Sequence, residues 1–245
     1  MNPLAEDGLP RARVPGAFDT EAAFYDRLVG ANPGYHDHLR LSARRLGLTG
    51  DGAGLRVLDA GCGTGASTAA LLHVLPEAEI IAFDGSAAML AQARRKEWPP
   101  NVRFVHSTIE NLGRSGITGP FDAVLAAYLI RNLAEPDIQL GTLRALLRPG
   151  APIAVHEYSV ADSRRARIVW NCVCATIIIP LGKVITGDAT LYRHLRRSVL
   201  RFEGISALTA RVAAAGFTAL RCATVPGWQR GIVHTVVGIR PGEIP

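Results

Sequence analysis

Three glycines at alternate positions, Gly61, Gly63 and Gly65, follow a short apolar run and precede a stretch of small, helix-forming residues. Glycines in such a turn allow backbone N–H groups and the N-terminus of the next helix to approach a ligand closely. The pattern is typical of a nucleotide-type pocket. It is ambiguous by itself, because Gly61, Gly63 and Ala66 also satisfy the dinucleotide-binding fingerprint. A turn that only connects a strand to a helix is the remaining interpretation.

Two acidic residues indicate which nucleotide the turn would bind. Asp59 stands just before the first glycine, at the end of the apolar run, where its carboxylate can face a ligand ammonium group. A dinucleotide has no such group. A second apolar run ends in Asp84, which is placed to accept hydrogen bonds from both ribose hydroxyls, as acidic residues do in such folds. Together the two residues indicate S-adenosylmethionine as the cofactor.

The elements that position these residues alternate between strands and helices. Apolar runs ending near residues 60, 84, 105, 127 and 157 predict strands, and the segments between them have helical periodicity and capping residues. This alternation predicts an α/β fold with a doubly wound, Rossmann-like sheet and a ligand site at the carboxyl ends of its strands. A final helix over 205–215 and strands over 220–225 and 232–237 predict an antiparallel C-terminal hairpin that completes a seven-stranded sheet.

The predicted domain organisation is one globular unit behind a short tail. Residues 1–17, rich in prolines, glycines and charges, predict a flexible tail, and 18–245 form a single domain. Within it we predict two N-terminal helices over 18–50, a cofactor-binding core over 51–160, a small helical cap over 161–204, and the last helix and hairpin over 205–245.

The apolar segment 168–185 is too short and too interrupted for a membrane-spanning helix, which needs ~20 mostly apolar residues. It is therefore predicted to belong to the cap, where it could cover a substrate, contact a membrane surface or form a homodimer interface. The arginines that follow it form either a solvated helix face or a surface for anionic head groups: Arg193, Arg196, Arg197 and Arg201.

Composition excludes few functions but favours some. A formal net charge of +6 admits an anionic membrane surface as a partner, although 27 basic against 21 acidic residues is a mild imbalance. No base-flipping Asn-Pro-Pro-Tyr-type motif or basic domain supports a nucleic-acid partner. The four cysteines lack zinc-type spacing, so no metal is predicted, and with no signal peptide they suit a reducing cytoplasm.

Several motifs occur in a fixed order along the chain: Asp59-Ala60-Gly61-Cys62-Gly63-Thr64-Gly65, Phe83-Asp84-Gly85-Ser86-Ala87-Ala88-Met89-Leu90, Ala127-Tyr128-Leu129-Ile130-Arg131-Asn132-Leu133, Leu146-Leu147-Arg148-Pro149-Gly150 and Glu157-Tyr158-Ser159. With the first two motifs the chain resembles class I S-adenosylmethionine-dependent methyltransferases. The later ones, above all the Arg-Asn pair, resemble the ubiquinone/menaquinone C-methyltransferases of the UbiE/MenG type.

The resemblance implies a set of cofactor-binding residues. Gly61, Gly63 and Thr64 would line the methionine and ribose side, and Asp84 would accept from the ribose hydroxyls. Thr108 and Ile109 would hold the adenine edge, and Ala127 would contribute backbone beside the methionine. The predicted set is completed by Tyr25, Asp59, Gly85 and Met89.

The chain departs from the usual family pattern at several positions. Thr108 stands where an acidic or amide residue is usual, and Leu129 replaces a glycine before the Arg-Asn pair. His156 occupies a usually apolar strand position, and the last strand continues unusually as His234-Thr235-Val236. Residues 18–40 also depart from the pattern, and that region helps to shape the acceptor site.

The resemblance implies transfer of a methyl group to a small hydrophobic ring acceptor, in particular to a ring carbon of a prenylated quinol. Arg131 would stabilise the developing oxyanion and Asn132 would orient the ring, while Tyr128 and His106 are candidate bases. For Arg131 and Asn132 the alternative is an ion pair and cap at a helix start. His156, inside a strand, is predicted to be packed rather than catalytic.

Other functions remain open at this point. An O- or N-methyltransferase of a small aromatic acceptor would need the same cofactor site and a different acceptor pocket. A protein that binds S-adenosylmethionine without transferring the methyl group is a further alternative, and a nicotinamide oxidoreductase is the least favoured. The predicted location is the cytoplasm, with contact to the inner face of the membrane as an option.

Overall fold

The structure, a computed structural model, describes residues 26, 30, 32–187 and 189–242. The predicted flexible tail over 1–17 and the predicted cofactor residue Tyr25 lie outside these ranges.

Seven strands form one mixed sheet in the order β3-β2-β1-β4-β5-β7-β6. The strands are β1 (Arg56–Ala60), β2 (Glu79–Asp84), β3 (Val102–His106), β4 (Ala123–Ala127), β5 (Pro152–Tyr158), β6 (Thr218–Thr224) and β7 (Val233–Ile239). The first five pair in parallel, whereas β7 pairs antiparallel with both β5 and β6. The predicted doubly wound, Rossmann-like sheet with a C-terminal antiparallel hairpin is confirmed.

Helices connect the strands and cover both faces of the sheet. They are α1 (Tyr35–Arg45), α2 (Ala66–Val74), α3 (Ala87–Arg94), α4 (Pro136–Leu146), α5 (Arg164–Val173), α6 (Ile179–Thr186), α7 (Thr190–Arg201) and α8 (Ile205–Ala214). The two largest hydrophobic clusters therefore lie one on each side of the sheet. Strands β4 and β5 are buried along their whole length because parallel strands carry helices on both faces.

The sheet order decides where the ends of the strands meet. Because β1 lies between β2 and β4, the turn after β1 has the end of β2 on one side and the end of β4 on the other. This central position, where the connections diverge to opposite directions, is where ligands bind in open α/β sheets.

The apolar segment of the cap belongs to a longer helix than predicted. A π-helical turn over Cys174–Ile178 joins α5 to α6, and it accommodates Pro180, whose nitrogen cannot donate a helical hydrogen bond. The run Arg164–Ile185 spans 22 residues with mean hydropathy 1.9, long and apolar enough by length and composition to cross a membrane. The expectation that this segment is too short is therefore wrong, because the helix begins before the apolar stretch.

One side of this long helix packs on the domain and the other does not. Trp170 and Cys174 are fully buried in a cluster with the ends of β5 and β7. Only 17% of the most apolar 18 residues of this helix are buried, so most of their side chains face outward.

Candidate active site

A cavity of about 380 Å³ lies at the carboxyl ends of β1, β2, β3 and β4. This volume is within the range of small-molecule and cofactor sites. Most of the residues predicted from the sequence line it: Gly61, Gly63, Thr64, Asp84, Gly85, Met89, Thr108, Ile109, Ala127, Tyr128 and Asn132.

The glycine turn after β1 forms the floor of the cavity. Gly61, Gly63 and Gly65 all have positive φ angles, of 72°, 56° and 90°, which side-chain-bearing residues rarely adopt. A Cβ atom on Gly61 would lie 2.8 Å from the Leu129 side chain, whereas one on Gly63 would meet nothing within 4 Å. Gly63 therefore leaves open space where a ligand can approach the backbone.

Asp84 joins this turn to the start of α3. Its Oδ2 accepts a hydrogen bond from the N–H of Gly63 at 2.8 Å, and its Oδ1 accepts one from the N–H of Ser86, also at 2.8 Å. Ser86 in turn caps α3 by accepting from the N–H of Met89. The carboxylate is thus held at the cavity wall in one orientation, where its further lone pairs can accept from ribose hydroxyls.

Asp59 lies behind the cavity wall rather than in it. It is fully buried, and its Oδ2 accepts hydrogen bonds from the hydroxyls of Ser67 at 2.8 Å and Thr68 at 2.6 Å. Its Oδ1 has no hydrogen-bond partner among the described residues. Burial raises the pKa of Asp59 to about 7, against the two hydroxyl contacts and with the help of the Asp84 charge. A cationic ligand group at this end would satisfy the carboxylate.

The opposite end of the cavity holds two residues that the sequence analysis missed. Gln139, in the first turn of α4, donates from Nε2 to Glu110 Oε1, and its own Oε1 is buried without a described partner. The carboxylate sets the orientation of the amide, because the amide oxygen would be repelled there. Thr108 and Ile109 line the same end. Gln139 thus offers a hydrogen-bond acceptor beside the predicted adenine position, near the threonine that departs from the family pattern.

Aromatic and aliphatic side chains form the wall on the β4 side. Tyr35 and Tyr128 stack with ring centroids 5.7 Å apart and planes 12° apart. Leu39, Leu129 and Leu133 also line the cavity. The helical spacing of Tyr35 and Leu39 predicted a buried helix face, but not that this face would line the cavity.

Arg131 lies outside the set of residues that line the cavity. Its side chain is 6% exposed and forms an ion pair with Glu157, which is 1% exposed, at 3.4 Å. Burial raises the pKa of Glu157, and the Arg131 charge opposes that rise. Arg131 Nη1 also donates to Asn132 Oδ1 at 3.2 Å and to Ser198 Oγ at 3.1 Å. The guanidinium therefore reaches the cavity only through Asn132, which does line it.

His106, another predicted residue, lies in different surroundings. His106 is exposed at the end of β3, and its Nε2 lies 3.1 Å from the carbonyl oxygen of Gly85. Asp26, which follows Tyr25 in the sequence, accepts a hydrogen bond from the Thr64 hydroxyl at 2.5 Å. Its carboxylate also forms an ion pair with Lys96 at 2.6 Å. Asp26 thus contacts the glycine turn through Thr64.

The described residues fit S-adenosylmethionine at both ends. The cofactor carries an ammonium group at its methionine end and an amino group on adenine. The structure has two buried acceptors without a described partner, Asp59 Oδ1 behind the cavity wall and Gln139 Oε1 at the adenine end, and the Asp84 carboxylate lines the cavity. The fold and this cavity define the class of Rossmann-like S-adenosylmethionine-dependent methyltransferases.

Comparisons with known proteins give the family. The model of the ubiE/COQ5 methyltransferase family matches residues 9–240. A demethylmenaquinone methyltransferase from Thermus thermophilus is 33% identical over 180 residues, which are 74% of this chain and 82% of that protein. The ubiquinone/menaquinone biosynthesis C-methyltransferase UbiE from Pseudomonas paraeruginosa is 30% identical over 236 residues, 94% of this chain and 89% of that protein. The chain belongs to the ubiE/COQ5 methyltransferase family, and it is an S-adenosylmethionine-dependent methyltransferase.

Solved structures share the fold at lower sequence identity. Magnesium protoporphyrin IX methyltransferase from Synechocystis, crystallised with S-adenosylhomocysteine, has a TM-score of 0.63 and 17% identity. The match covers 94% of this chain and 99% of that one.

We expect the affinity for S-adenosylhomocysteine to fall below pH 7 through Asp59. The pKa of Asp59 is about 7, so at lower pH the ammonium group of the ligand must displace a proton from the carboxyl group. The dissociation constant, measured by calorimetry between pH 5.5 and 8.5, should rise by up to about tenfold per pH unit on the acid side. Asp59→Asn should remove this dependence. The exposed Asp37→Asn is the matched control, and an unchanged pH slope in Asp59→Asn would contradict the assignment.

We also expect Gln139 to select for adenine. In S-inosylhomocysteine a carbonyl oxygen replaces the adenine amino group, so the buried Gln139 Oε1 would face another acceptor. The wild-type protein should bind this analogue about 10- to 100-fold more weakly than S-adenosylhomocysteine, the cost of an unpaired buried polar group. Gln139→Leu should lose most of this difference, whereas Gln92→Leu, on α3, should keep it. An equal ratio in wild type and Gln139→Leu would show that another group recognises adenine.

Proposed function

We propose that the enzyme methylates a ring carbon of a prenylated quinol of the demethylmenaquinol type. The names of its relatives support this acceptor, since they are demethylmenaquinone and ubiquinone/menaquinone methyltransferases that match most of the chain. The observation that carries the proposal is the composition of the cavity on the β4 side. On that side the cavity wall consists of stacked tyrosines and of leucines, whereas polar groups line the part that would hold the cofactor.

This wall suits a flat, apolar ring with few polar substituents. Leu39, Leu129 and Leu133 supply aliphatic surface, and Tyr35 and Tyr128 present aromatic surface. The aromatic contacts continue away from the cavity. The ring centroids of Tyr128 and Tyr158 are 4.8 Å apart, and those of Tyr158 and Trp170 of α5 are also 4.8 Å apart. An aromatic row thus connects the cavity wall with the long apolar helix.

When bound, S-adenosylmethionine would supply a methyl group on a positively charged sulfur, and the sulfur would keep the electron pair of the S–CH₃ bond. The ring hydroxyl would give its proton to water, which places electron density on the neighbouring ring carbon, the atom that would form the new C–C bond. Release of that carbon's own proton to water restores the aromatic ring as a phenolate. The oxygen then regains a proton, so that one proton is released for each methyl group transferred.

The protein's part in this reaction is to hold the ring dry and aligned. Asn132 is held at both ends of its amide, since its Nδ2 donates to the carbonyl of Tyr128 at 3.0 Å and its Oδ1 accepts from Arg131. We assign Asn132 to ring orientation. Arg131 keeps the role of an electrostatic support, exerted through Asn132 and through the ion pair with Glu157 rather than by contact with the ring.

The long helix over Arg164–Ile185 supports a second part of the proposal, contact with a membrane surface. Its outward face exposes Ile168 at 63%, Ile177 at 55%, Leu181 at 37% and Val184 at 83%. Several large apolar side chains exposed on one helix are uncommon on a soluble monomer and mark interaction sites. A prenyl tail resides in the lipid phase, so an enzyme that takes such an acceptor needs this contact.

Basic residues surround the apolar face. Arg164, Arg165 and Arg167 are exposed at the start of α5, Lys183 is exposed on α6, and Arg193 and Arg197 are exposed on α7. Such residues are attracted to anionic head groups while the apolar side chains enter the interface. Because Trp170 and Cys174 on the other side are buried in the domain, we propose a helix that lies on the membrane from the cytoplasmic side.

The acceptor is tested with methyl-labelled S-adenosylmethionine and a short-tailed demethylmenaquinol kept reduced, followed by mass spectrometry of the extracted ring. We expect the label on a ring carbon. Asn132→Ala should lower kcat by up to about a hundredfold through misplacement of the ring, with the affinity for S-adenosylhomocysteine unchanged. Asn101→Ala, at the opposite edge of the sheet, is the matched control.

Two substrates serve as further controls in this assay. The oxidised quinone lacks the hydroxyl that activates the ring carbon, and the ring already methylated has no free position, so neither should take label. Label on oxygen, or cofactor binding without labelling of the quinol, would replace the proposal by an O- or N-methyltransferase of another acceptor.

Membrane contact is tested by sedimentation with vesicles of phosphatidylglycerol or of phosphatidylcholine. We expect binding to the anionic vesicles that weakens as salt screens the arginines. The double variant Ile177→Glu, Val184→Glu should lower the partition coefficient at least about tenfold, because each buried apolar side chain contributes about 1.5–3 kcal/mol.

Ile138→Glu provides the matched control for the vesicle experiment. Ile138 is 65% exposed, like Ile168 at 63%, but it lies on α4. If Ile138→Glu lost as much vesicle binding as the double variant, the loss would be due to the general hydrophobicity of the surface and not to this helix. A dimer that dissociates in the double variant, with no vesicle binding in wild type, would assign the helix to a homodimer interface.

A further inference from the structure

The departures from the family pattern on β5 and β7 are neighbours in the folded chain. His156 pairs with Thr235 across the two antiparallel strands, and His234 pairs with Glu157 at the next position. His156 is fully buried and Thr235 is 1% exposed. Two polar residues at facing positions inside a buried sheet require hydrogen-bond partners.

Those partners form a continuous chain that ends at the cavity. Arg45 of α1 donates from Nη1 to Thr235 Oγ1 at 2.8 Å, and Thr235 Oγ1 lies 3.0 Å from His156 Nδ1. On the other side of the imidazole, Nε2 lies 3.2 Å from the hydroxyl of Tyr128. Tyr128 lines the cavity. This series of hydrogen bonds therefore connects α1, through the sheet, to the wall of the active site.

The imidazole in the middle of this chain is neutral. Burial lowers the pKa of His156 to about 3, and the nearby charges of His38, Arg45 and His234 act in the same direction. A neutral imidazole has one N–H donor and one acceptor nitrogen, and both have partners here. His156 is therefore unsuited to take a proton from a substrate, but it can hold a hydroxyl in place.

Tyr128 is held in an unusual conformation from several directions. Its φ of 56° lies in the left-handed region, which costs a residue with a side chain about 1–2 kcal/mol. Its N–H donates to the carbonyl of His156 at 2.7 Å, and its ring stacks between Tyr35 and Tyr158. Strained residues kept by several contacts cluster at functional sites.

We propose that His156, supported by Thr235 and Arg45, is a positioning residue that orients the Tyr128 hydroxyl toward an oxygen of the acceptor ring. The pair then determines which acceptors the enzyme accepts. This inference rests on the proposed function, because it requires a ring with a hydroxyl group. Its physical basis is that Leu39, Leu129 and Leu133 give this wall an aliphatic surface without hydrogen-bonding groups, so a phenol held in one orientation there selects the ring's orientation.

The inference is tested by the binding of 1,4-dihydroxynaphthalene to the protein saturated with S-adenosylhomocysteine, measured by calorimetry. Tyr128→Phe and His156→Leu should each weaken binding about tenfold, as expected for the loss of one hydrogen bond in a buried site. The double variant should be no weaker than either single one, because His156 acts through Tyr128. His156→Gln, which keeps a hydrogen-bonding group, should recover part of the affinity.

Several readouts separate this role from a structural one. The affinity for S-adenosylhomocysteine should stay within about twofold of wild type in all four variants. The ¹⁵N resonances of His156 should shift in Tyr128→Phe and stay constant between pH 5 and pH 8. His73→Leu, on the exposed face of α2, is the matched control.

Additive losses in the double variant, or unchanged ring binding in Tyr128→Phe, would overturn the inference. Because this experiment measures binding of the ring and not transfer, its result is independent of the methyl-transfer assay. Normal ring selection with no labelled quinol would reject the proposed function alone. Labelled quinol with unchanged ring binding in the variants would reject this inference alone.

Discussion

The close approach of backbone segments at the turn after β1 is the constraint on which the active site depends. A Cβ atom on Gly61 would lie 2.8 Å from the Leu129 side chain on the β4 side, and one on Gly65 would lie 2.7 Å from the Trp98 side chain on the other side. Both glycines have positive φ angles, so the turn can follow this path only without side chains. The same path brings the N–H of Gly63 to the carboxylate of Asp84. One turn therefore sets the positions of the cavity floor, of the Asp84 carboxylate and of the Leu129 side of the cavity wall.

Behind this turn the protein buries more polar groups than a sheet core usually contains. The Arg131–Glu157 pair connects the segment after β4 to β5, and the pair of His156 and Thr235 connects β5 to β7. Buried ion pairs stabilise little by themselves, because the loss of hydration offsets the attraction. Their effect here is geometric. They hold Asn132 and Tyr128, the two polar groups next to the apolar wall, in single orientations.

Aromatic contacts connect the active-site wall with the long helix of the cap. The aromatic row from Tyr128 through Tyr158 to Trp170 is packed side by side, and Trp170 anchors the long helix whose opposite face is apolar and exposed. Arg196 fastens α7 to the same helix by a hydrogen bond to Asn171. The proposed acceptor, which has an apolar tail and a ring that must be shielded from water, suits a site built in this way.

The sequence alone determined the fold and located most of the predicted residues that line the cavity. Gly61 and Asp84 follow apolar strands directly, so local patterns located both residues, and the alternation of strands and helices placed them at one edge of a parallel sheet. The tertiary structure decided what depends on contacts between distant segments. Gln139 meets Glu110, Arg131 turns to Glu157, and His156 meets Thr235 across a register between β5 and β7. These pairs are separated by 26 to 79 residues, and their meeting depends on strand register and helix rotation. Local patterns carry the type of an element, whereas register and rotation are fixed by packing of the whole chain.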